Sequence, residues 1–337
     1  ISLHSQESAM EGLSESYPLI YRPFLVSYAI SFYLIKFIFP FHLSVLHPYP
    51  SLYEPLPVIY FLSPVIILLV VFLIIVSKSL KKELIFGFLF FLISIGLVIQ
   101  IIPVGQAIAA ERYTYVPYIG LLFIIGQVFY WLKENKYKLF NKYQNLLLFS
   151  FFIYAIGFSI GTIKRLNVWK DSMALFNDQI KKYPSHYFGF FSRGNFKIQA
   201  KDYPGALQDF NKSLEIKPKN ADCLNSRSNA KYYLKDYKGA LNDLNRVIEI
   251  NPAYQIGYKN RAEILSQLGM NEDAIKDYDQ LIKLTPNYAF AYYKRGLLKN
   301  KMGKKQEACD DLKIAIKLGY HAAKKELDNL CTSQQPF

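Results

Sequence analysis

Residues 187–220 read YFGFFSRGNFKIQAKDYPGALQDFNKSLEIKPKN, and residues 221–254 read ADCLNSRSNAKYYLKDYKGALNDLNRVIEINPAY. Laid one above the other, the strings place Gly194 over Ser228, Ala206 over Ala240, Phe210 over Leu244 and Pro218 over Pro252. The register continues through Ala262, Ala274, Tyr278 and Pro286, then through Gly296, Ala308 and Leu312, each 34 residues further on. Small side chains at the eighth and twentieth positions let two helices approach closely. A bulky apolar residue at the twenty-fourth fills the space between repeats. Proline at the thirty-second closes the second helix, because it has no N–H to continue the ladder.

Thirty-four residues is the period of the tetratricopeptide repeat, a helix–turn–helix unit that stacks into a solenoid. The expected repeats are 187–220, 221–254, 255–288 and 289–322. A connector, 164–186, holds a leading helix over Trp169–Tyr183 that ends at Pro184 and caps the array's start. Residues 323–337 form a terminal capping helix and tail, with Tyr320 standing where the fourth repeat's proline belongs.

Two charged series share the period. Arg193, Arg227, Arg261 and Arg295 occupy the seventh position, and Asp209, Asp243, Asp277 and Asp311 the twenty-third. A basic stripe for an anionic ligand is one reading. Co-periodicity of both signs favours the other, a ladder in which each guanidinium meets a carboxylate on the facing helix. The groove of such an array is lined by first-helix positions. Here they supply Phe188, Phe191, Asn195, Asn225, Asn229, Tyr232, Tyr233, Lys259, Phe290 and Tyr293. Aromatic rings beside amides suit an extended protein or peptide segment, or a glycan stacking on rings. The lysine–asparagine clamp for a C-terminal carboxylate is not matched, since Phe191 and Ile256 stand where lysines would.

The formal net charge of +14 does not point to nucleic acid. Residues 187–322 hold 23 Lys/Arg against 15 Asp/Glu, mixed in sign along helix faces, as on a solvated helical surface. The three cysteines, Cys223, Cys309 and Cys331, have no metal-type spacing and read as free thiols, with no metal site and no cofactor. The chain starts at Ile1 with neither a Met nor a signal-peptide layout, and reads as a fragment.

Long uncharged runs of Phe, Ile and Leu fill the sequence before about residue 163, and the polar repeats follow a boundary near Lys164–Trp169. Five segments within 23–163 are apolar enough to cross a bilayer: Pro23–Phe39, Val58–Ser77, Leu84–Ile102, Val116–Leu132 and Asn145–Ile163. Residues 1–22 are a juxtamembrane segment. The fold class expected is all-α, polytopic transmembrane helices followed by a tetratricopeptide-repeat solenoid. Lys78, Lys81 and Lys82 lie in one short loop, and Lys133, Lys136, Lys138 and Lys142 in another. Those loops fall on one face, which the positive-inside rule makes cytoplasmic. The opposite loops, Phe41–Pro57 and Val104–Tyr115, hold Arg112 as their one basic residue. Five spans then place the array outside the cytoplasm, on a protein of the inner membrane in contact with lipid.

Particular residues carry a resemblance. They are Ala110-Glu111-Arg112-Tyr113-Thr114-Tyr115-Val116-Pro117, then Pro40-Phe41-His42-Leu43-Ser44 with nearby Tyr49-Pro50, and Arg165 followed by Trp169. With the repeats, they make the chain resemble the C-terminal part of bacterial relatives of the transmembrane and tetratricopeptide-repeat O-mannosyltransferases, in the GT-C glycosyltransferase superfamily. The resemblance implies a parent enzyme that takes a sugar from a polyprenyl-phosphate carrier on the extracytoplasmic side. It implies a catalytic acidic residue in the first external loop, upstream of Ile1. Glu54 and Glu111 are the carboxylates of the outer loops here, and neither sits in a recognisable pair, so no catalytic residue is assigned. Arg112, with Glu111 and Tyr113 beside it, is the candidate for holding the donor phosphate, because guanidinium meets phosphate through two parallel hydrogen bonds. A non-catalytic membrane-anchored adaptor for envelope complexes is the alternative.

Overall fold

A computed structural model of the chain describes residues 18–40, 44, 47–48, 50, 55–96, 107–109, 115–135 and 138–331. It falls into two compact units, Ile1–Tyr183 and Pro184–Phe337. The unit break lies at Pro184, whereas Lys164–Trp169, read above as the boundary, lies inside a continuous helix.

In the first unit, a short 3₁₀ turn leads into α1 (Arg22–Ile38), with Pro23 in the first turn, where its missing N–H costs nothing. There follow β1 (His47–Pro48), α2 (Val58–Val76), α3 (Lys81–Gly96), β2 (Ala107–Ala109), α4 (Tyr115–Glu134), α5 (Lys138–Trp169) and α6 (Ser172–Lys182). Helices α1 to α4 bury Ala29, Tyr33, Phe91 and Ile95 among themselves. Ser31 Oγ donates to the Ser63 carbonyl at 3.0 Å, and Tyr118 OH to the Tyr33 carbonyl at 3.1 Å. Where α3 crosses α4, Gly87 faces Gly120, and a Cβ added at Gly120 would lie 2.5 Å from the Gly87 carbonyl oxygen. Strands β1 and β2 pair antiparallel and join the two segments read as outer loops.

Four helices begin within three residues of the expected spans, and the fifth, α5, begins at Lys138, seven residues before Asn145, and runs 32 residues, past Lys164 and Arg165. Among the described residues, three helices are long and apolar enough to cross a membrane: Val58–Val76, Val116–Glu134 and Lys142–Trp169. Helix α1 has 17 residues, the length of the span assigned to it, and α3 has 16; the expected end of the third span, to Ile102, lies outside the described residues. The outward faces of α2 and α5 are apolar, with Leu68 65% and Phe152 64% exposed.

The second unit is four helix pairs and one last helix. The pairs are α7 (Tyr187–Gln199) with α8 (Tyr203–Ile216), α9 (Ala221–Tyr233) with α10 (Tyr237–Ile250), α11 (Gln255–Gln267) with α12 (Asn271–Leu284), and α13 (Ala289–Lys301) with α14 (Lys305–Lys317); α15 is Ala323–Cys331. Gly194 shows why the eighth position is small: a Cβ there would meet the Phe210 ring at 2.6 Å. The turns within the repeats use two solutions. Lys201 and Lys235 take positive φ, and the following Asp202 and Asp236 cap the next helix through the amides of Gly205 and Gly239. Gly269 and Gly303 occupy the same position without strain, but Met270 and Lys304 behind them offer no side-chain cap.

Two expectations are corrected here. Cys309 and Cys331 form a disulfide, with Cα atoms 6.1 Å apart, and only Cys223 is free, buried in the second repeat. Helix α15 folds back on α14, so that 22 residues of separation become a cross-link that sequence spacing does not announce. Within Trp169–Tyr183, read as the array's leading helix, Ser172–Lys182 forms α6, which falls in the first unit.

Candidate binding groove

The frame of the groove is the charged ladder. Arg193, Arg227, Arg261 and Arg295 each donate from Nε (2.8–2.9 Å) and Nη2 (2.6 Å) to both oxygens of Asp209, Asp243, Asp277 and Asp311, sixteen residues later. The aspartates are buried at 0–4% exposure, so the fork–fork geometry is what makes their charge tolerable there. The ladder reading of the sequence is the one observed, and the anion stripe is not.

Two further series complete it and escaped the sequence reading. The third guanidinium donor, Nη1, reaches back to the preceding repeat: Arg227 to Asn211 and Arg261 to Asn245 at 2.8 Å, and Arg295 to Asp279 at 2.5 Å. Lys197, Lys231 and Lys299 add a second cation to Asp209, Asp243 and Asp311 at 2.8–2.9 Å. Leu265 holds the corresponding position of the third repeat. A search for amides at the twenty-fifth position and lysines at the eleventh would have found both series.

First helices of neighbouring repeats adjoin, because Asn260 Nδ2 donates to Asn225 Oδ1 (2.8 Å) and Tyr232 OH to Gln267 Oε1 (2.7 Å). Along this face Tyr233 is 51% exposed and stacks on Tyr203 with centroids 4.5 Å apart. Asn195 and Asn229 make no side-chain hydrogen bond among the described residues, so both amides keep their full donor and acceptor capacity. Phe290 carries Lys259 Nζ at 5.6 Å and Lys294 Nζ at 5.2 Å from its ring centre. Tyr320 lies 6.0 Å from Phe290 and 4.8 Å from Tyr293, occupying with its ring the place that proline takes in earlier repeats. Phe188 is half-buried. Phe191 differs from expectation: it packs on the repeat core beside Phe210, at 6.3 Å, instead of lining an open groove.

In the first unit, Arg112, Glu111 and Tyr113 lie outside the described residues. A polar cluster not foreseen joins β1 to α6. Ser44 Oγ donates to Gln179 Oε1 (2.7 Å), and His47 Nδ1 is hydrogen-bonded to Tyr183 OH (2.5 Å). Asp178 receives Arg165 at 2.6 Å and Lys182 at 2.7 Å. Burial, followed by the charges of Lys36, Lys182 and Arg165, pushes the His47 imidazole down to about 3, so it stays neutral near pH 7. Among the described residues no group of three or more His, Cys, Asp or Glu side chains is placed to hold a metal ion.

A family model described as TPR repeat matches residues 262–303, and one described as tetratricopeptide repeat matches residues 290–318. No curated protein matches the sequence. Similar solved structures include YrrB, described as a TPR protein with an unusual peptide-binding site (20% identity, covering 50% of this chain and 88% of that one, TM-score 0.44). MamA from Desulfovibrio magneticus RS-1 is another (15% identity, 44% and 85% covered, TM-score 0.42). A third is the first TPR domain of Spaghetti bound to an HSP90 peptide (24% identity, 35% and 93% covered, TM-score 0.34). The chain carries tetratricopeptide repeats, and its second unit is an all-α helical solenoid of that type.

Proposed function

We propose that this is a membrane-anchored binding protein whose repeat array, on the extracytoplasmic side of the inner membrane, holds a protein or peptide partner along its first helices. The carrying observation is the division of labour among side chains. The ladder consumes the repeated arginines and aspartates as frame, while Tyr233 and the amides of Asn195 and Asn229 stay available. Exposed rings and unspent amides on a rigid frame are what an extended chain requires: π-faces for side chains, donors and acceptors for peptide groups.

Membrane anchoring is supported by the three helices of sufficient length and by the apolar outward faces of α2 and α5, which lipid would cover and water would not. The side is supported by the lysines flanking α2–α3 and α4–α5, and by the Cys309–Cys331 disulfide, which suits an oxidising compartment. A photo-crosslinking residue at Tyr233 should give a discrete protein adduct in cells, and one at exposed Lys219 should not. Equal labelling from both positions, or none from either, would overturn the reading.

The glycosyltransferase-like reading is favoured by one observation. Strand β1 follows Pro40-Phe41-His42-Leu43-Ser44 in sequence and pairs with β2, which precedes Ala110-Glu111-Arg112 in sequence. The array would then present acceptor protein to a membrane site, with Arg112 on the phosphate of a polyprenyl-linked sugar. Arg112→Lys should then cut sugar transfer sharply while insertion stays normal; wild-type transfer in that variant would leave Arg112 an anchor.

A further inference from the structure

Two half-buried lysines on the first helices stand outside the ladder. Lys259, from the third repeat, and Lys294, from the fourth, both place Nζ within 5.6 Å of the centre of the Phe290 ring. Neither has a carboxylate within ion-pair distance among the described residues, whereas Lys197, Lys231 and Lys299 each sit on a ladder aspartate. Both are half-buried, so part of their hydration is lost with only a π-face in return. A ring attracts a cation but does not neutralise it. An anion seated beside Phe290 would satisfy both. Tyr320 and Tyr288 stand 6.0 Å from the same ring, which gives the spot apolar walls.

The class of anion follows from what is missing. Of the five arginines in the array, four are locked fork-to-fork on ladder aspartates, and the fifth, Arg246, lies on the second helix of its repeat. No first helix therefore has a guanidinium left to grip phosphate bidentately, which disfavours a nucleic acid or phosphorylated ligand. Point-charge ammonium groups beside rings and amides suit carboxylates on an extended chain. We propose that the groove at Phe290 takes an acidic peptide segment, one carboxylate lying between Lys259 and Lys294 with its aliphatic stem on the ring. This rests on the peptide-binding reading and adds the charge of the ligand.

The test uses the full chain in detergent, with a fluorescein-labelled extended peptide of alternating Glu and Gly, its Lys counterpart, and a single-stranded oligonucleotide of equal charge. The glutamate peptide should bind. Lys259→Gln with Lys294→Gln should weaken it roughly tenfold, the scale of a partly buried charge pair. Lys259→Arg with Lys294→Arg should keep binding within about twofold. Lys219→Gln with Lys304→Gln, the same charge removed from exposed sites, should also leave binding within about twofold. Equal losses in both glutamine pairs, or preference for the oligonucleotide, would overturn the proposal. A Tyr233 adduct that persists while the glutamate peptide fails to bind would sink the acidic ligand and leave peptide binding standing.

Discussion

Arg227 holds Asp243 by two parallel hydrogen bonds, 2.9 Å from Nε and 2.6 Å from Nη2, with the carboxylate fully buried. Lys231 adds a second ammonium at 2.8 Å, so the aspartate balances two cations in the interior of the second repeat. Asp243→Ala strips both of their partner. It should cost about 3–5 kcal/mol of unfolding free energy, against less than about 0.5 kcal/mol for Lys219→Ala. Thermal denaturation of the full chain measures both, and similar losses would refute a structural ladder.

Gly120 and Gly87 make the α3–α4 crossing a backbone-to-backbone contact, and backbone cannot rotate away from an added methyl. Gly120→Ala should therefore lower stability in detergent by about 1–3 kcal/mol, while Gly126→Ala, where the methyl would enter open space, should be nearly neutral. A neutral Gly120→Ala would mean that the helices are held apart.

Acid should loosen the repeat unit in part through His186, whose imidazole burial and then Lys217 push down to about 4. Above about pH 6.5 the folded and unfolded chains both hold it neutral, and there is no effect. Between about 6.5 and 4 the unfolded chain takes up a proton that the folded chain refuses, so stability falls as pH falls. His186→Gln should flatten that part of the curve by ~1–3 kcal/mol. An unchanged slope between wild type and variant would count against the buried neutral ring.

The Cys309–Cys331 bond closes a 22-residue separation and fastens α15 to α14. Reduction, or Cys331→Ser, should destabilise the array's last helices by about 2–4 kcal/mol, through the entropy regained by the unfolded chain. Limited proteolysis should then release the C-terminal helix first. Equal cleavage with and without reductant would show that the bond constrains nothing.

Cysteines placed at exposed Lys219 and Lys304 should react with an impermeant thiol reagent in intact cells whose outer membrane is permeabilised. Background is low, because Cys223 is buried and the other two native cysteines are bonded. Labelling only after the inner membrane is broken would invert the topology.

The repeats were legible because close helix packing restricts the same positions every time: Gly194 against Phe210 is a steric demand that recurs with the period. Arg and Asp were legible as partners because both signs recur together. Their reach across repeats was hidden, since Asn211, Asn245 and Asp279 mix residue types and contact an arginine of the following repeat. Helix α5 extends beyond both ends of the expected span Asn145–Ile163, because lysine is a good helix former and the helix passes through Lys142 and Lys164. Phe191 could not be assigned from its register, because neighbouring side chains decide whether such a ring faces outward or into the core. The His47 cluster depends on segments far apart in sequence: Ser44 and Gln179 are separated by 135 residues, and His47 and Tyr183 by 136.

Leu265 makes the third repeat unlike its neighbours. Where Lys197, Lys231 and Lys299 bring charge to their aspartates, Leu265 is buried in an apolar cluster with Tyr258, Tyr278 and Leu281. Three repeats thus rest more on buried ion pairing, which salt screens only weakly, and one rests more on apolar burial, which excluded salts such as sulfate strengthen. One period therefore contains two responses to the surrounding solution. At low ionic strength the array should open cooperatively along its length. In concentrated sulfate the order of local opening, followed by amide exchange, should shift until α11 and α12 are the last to yield.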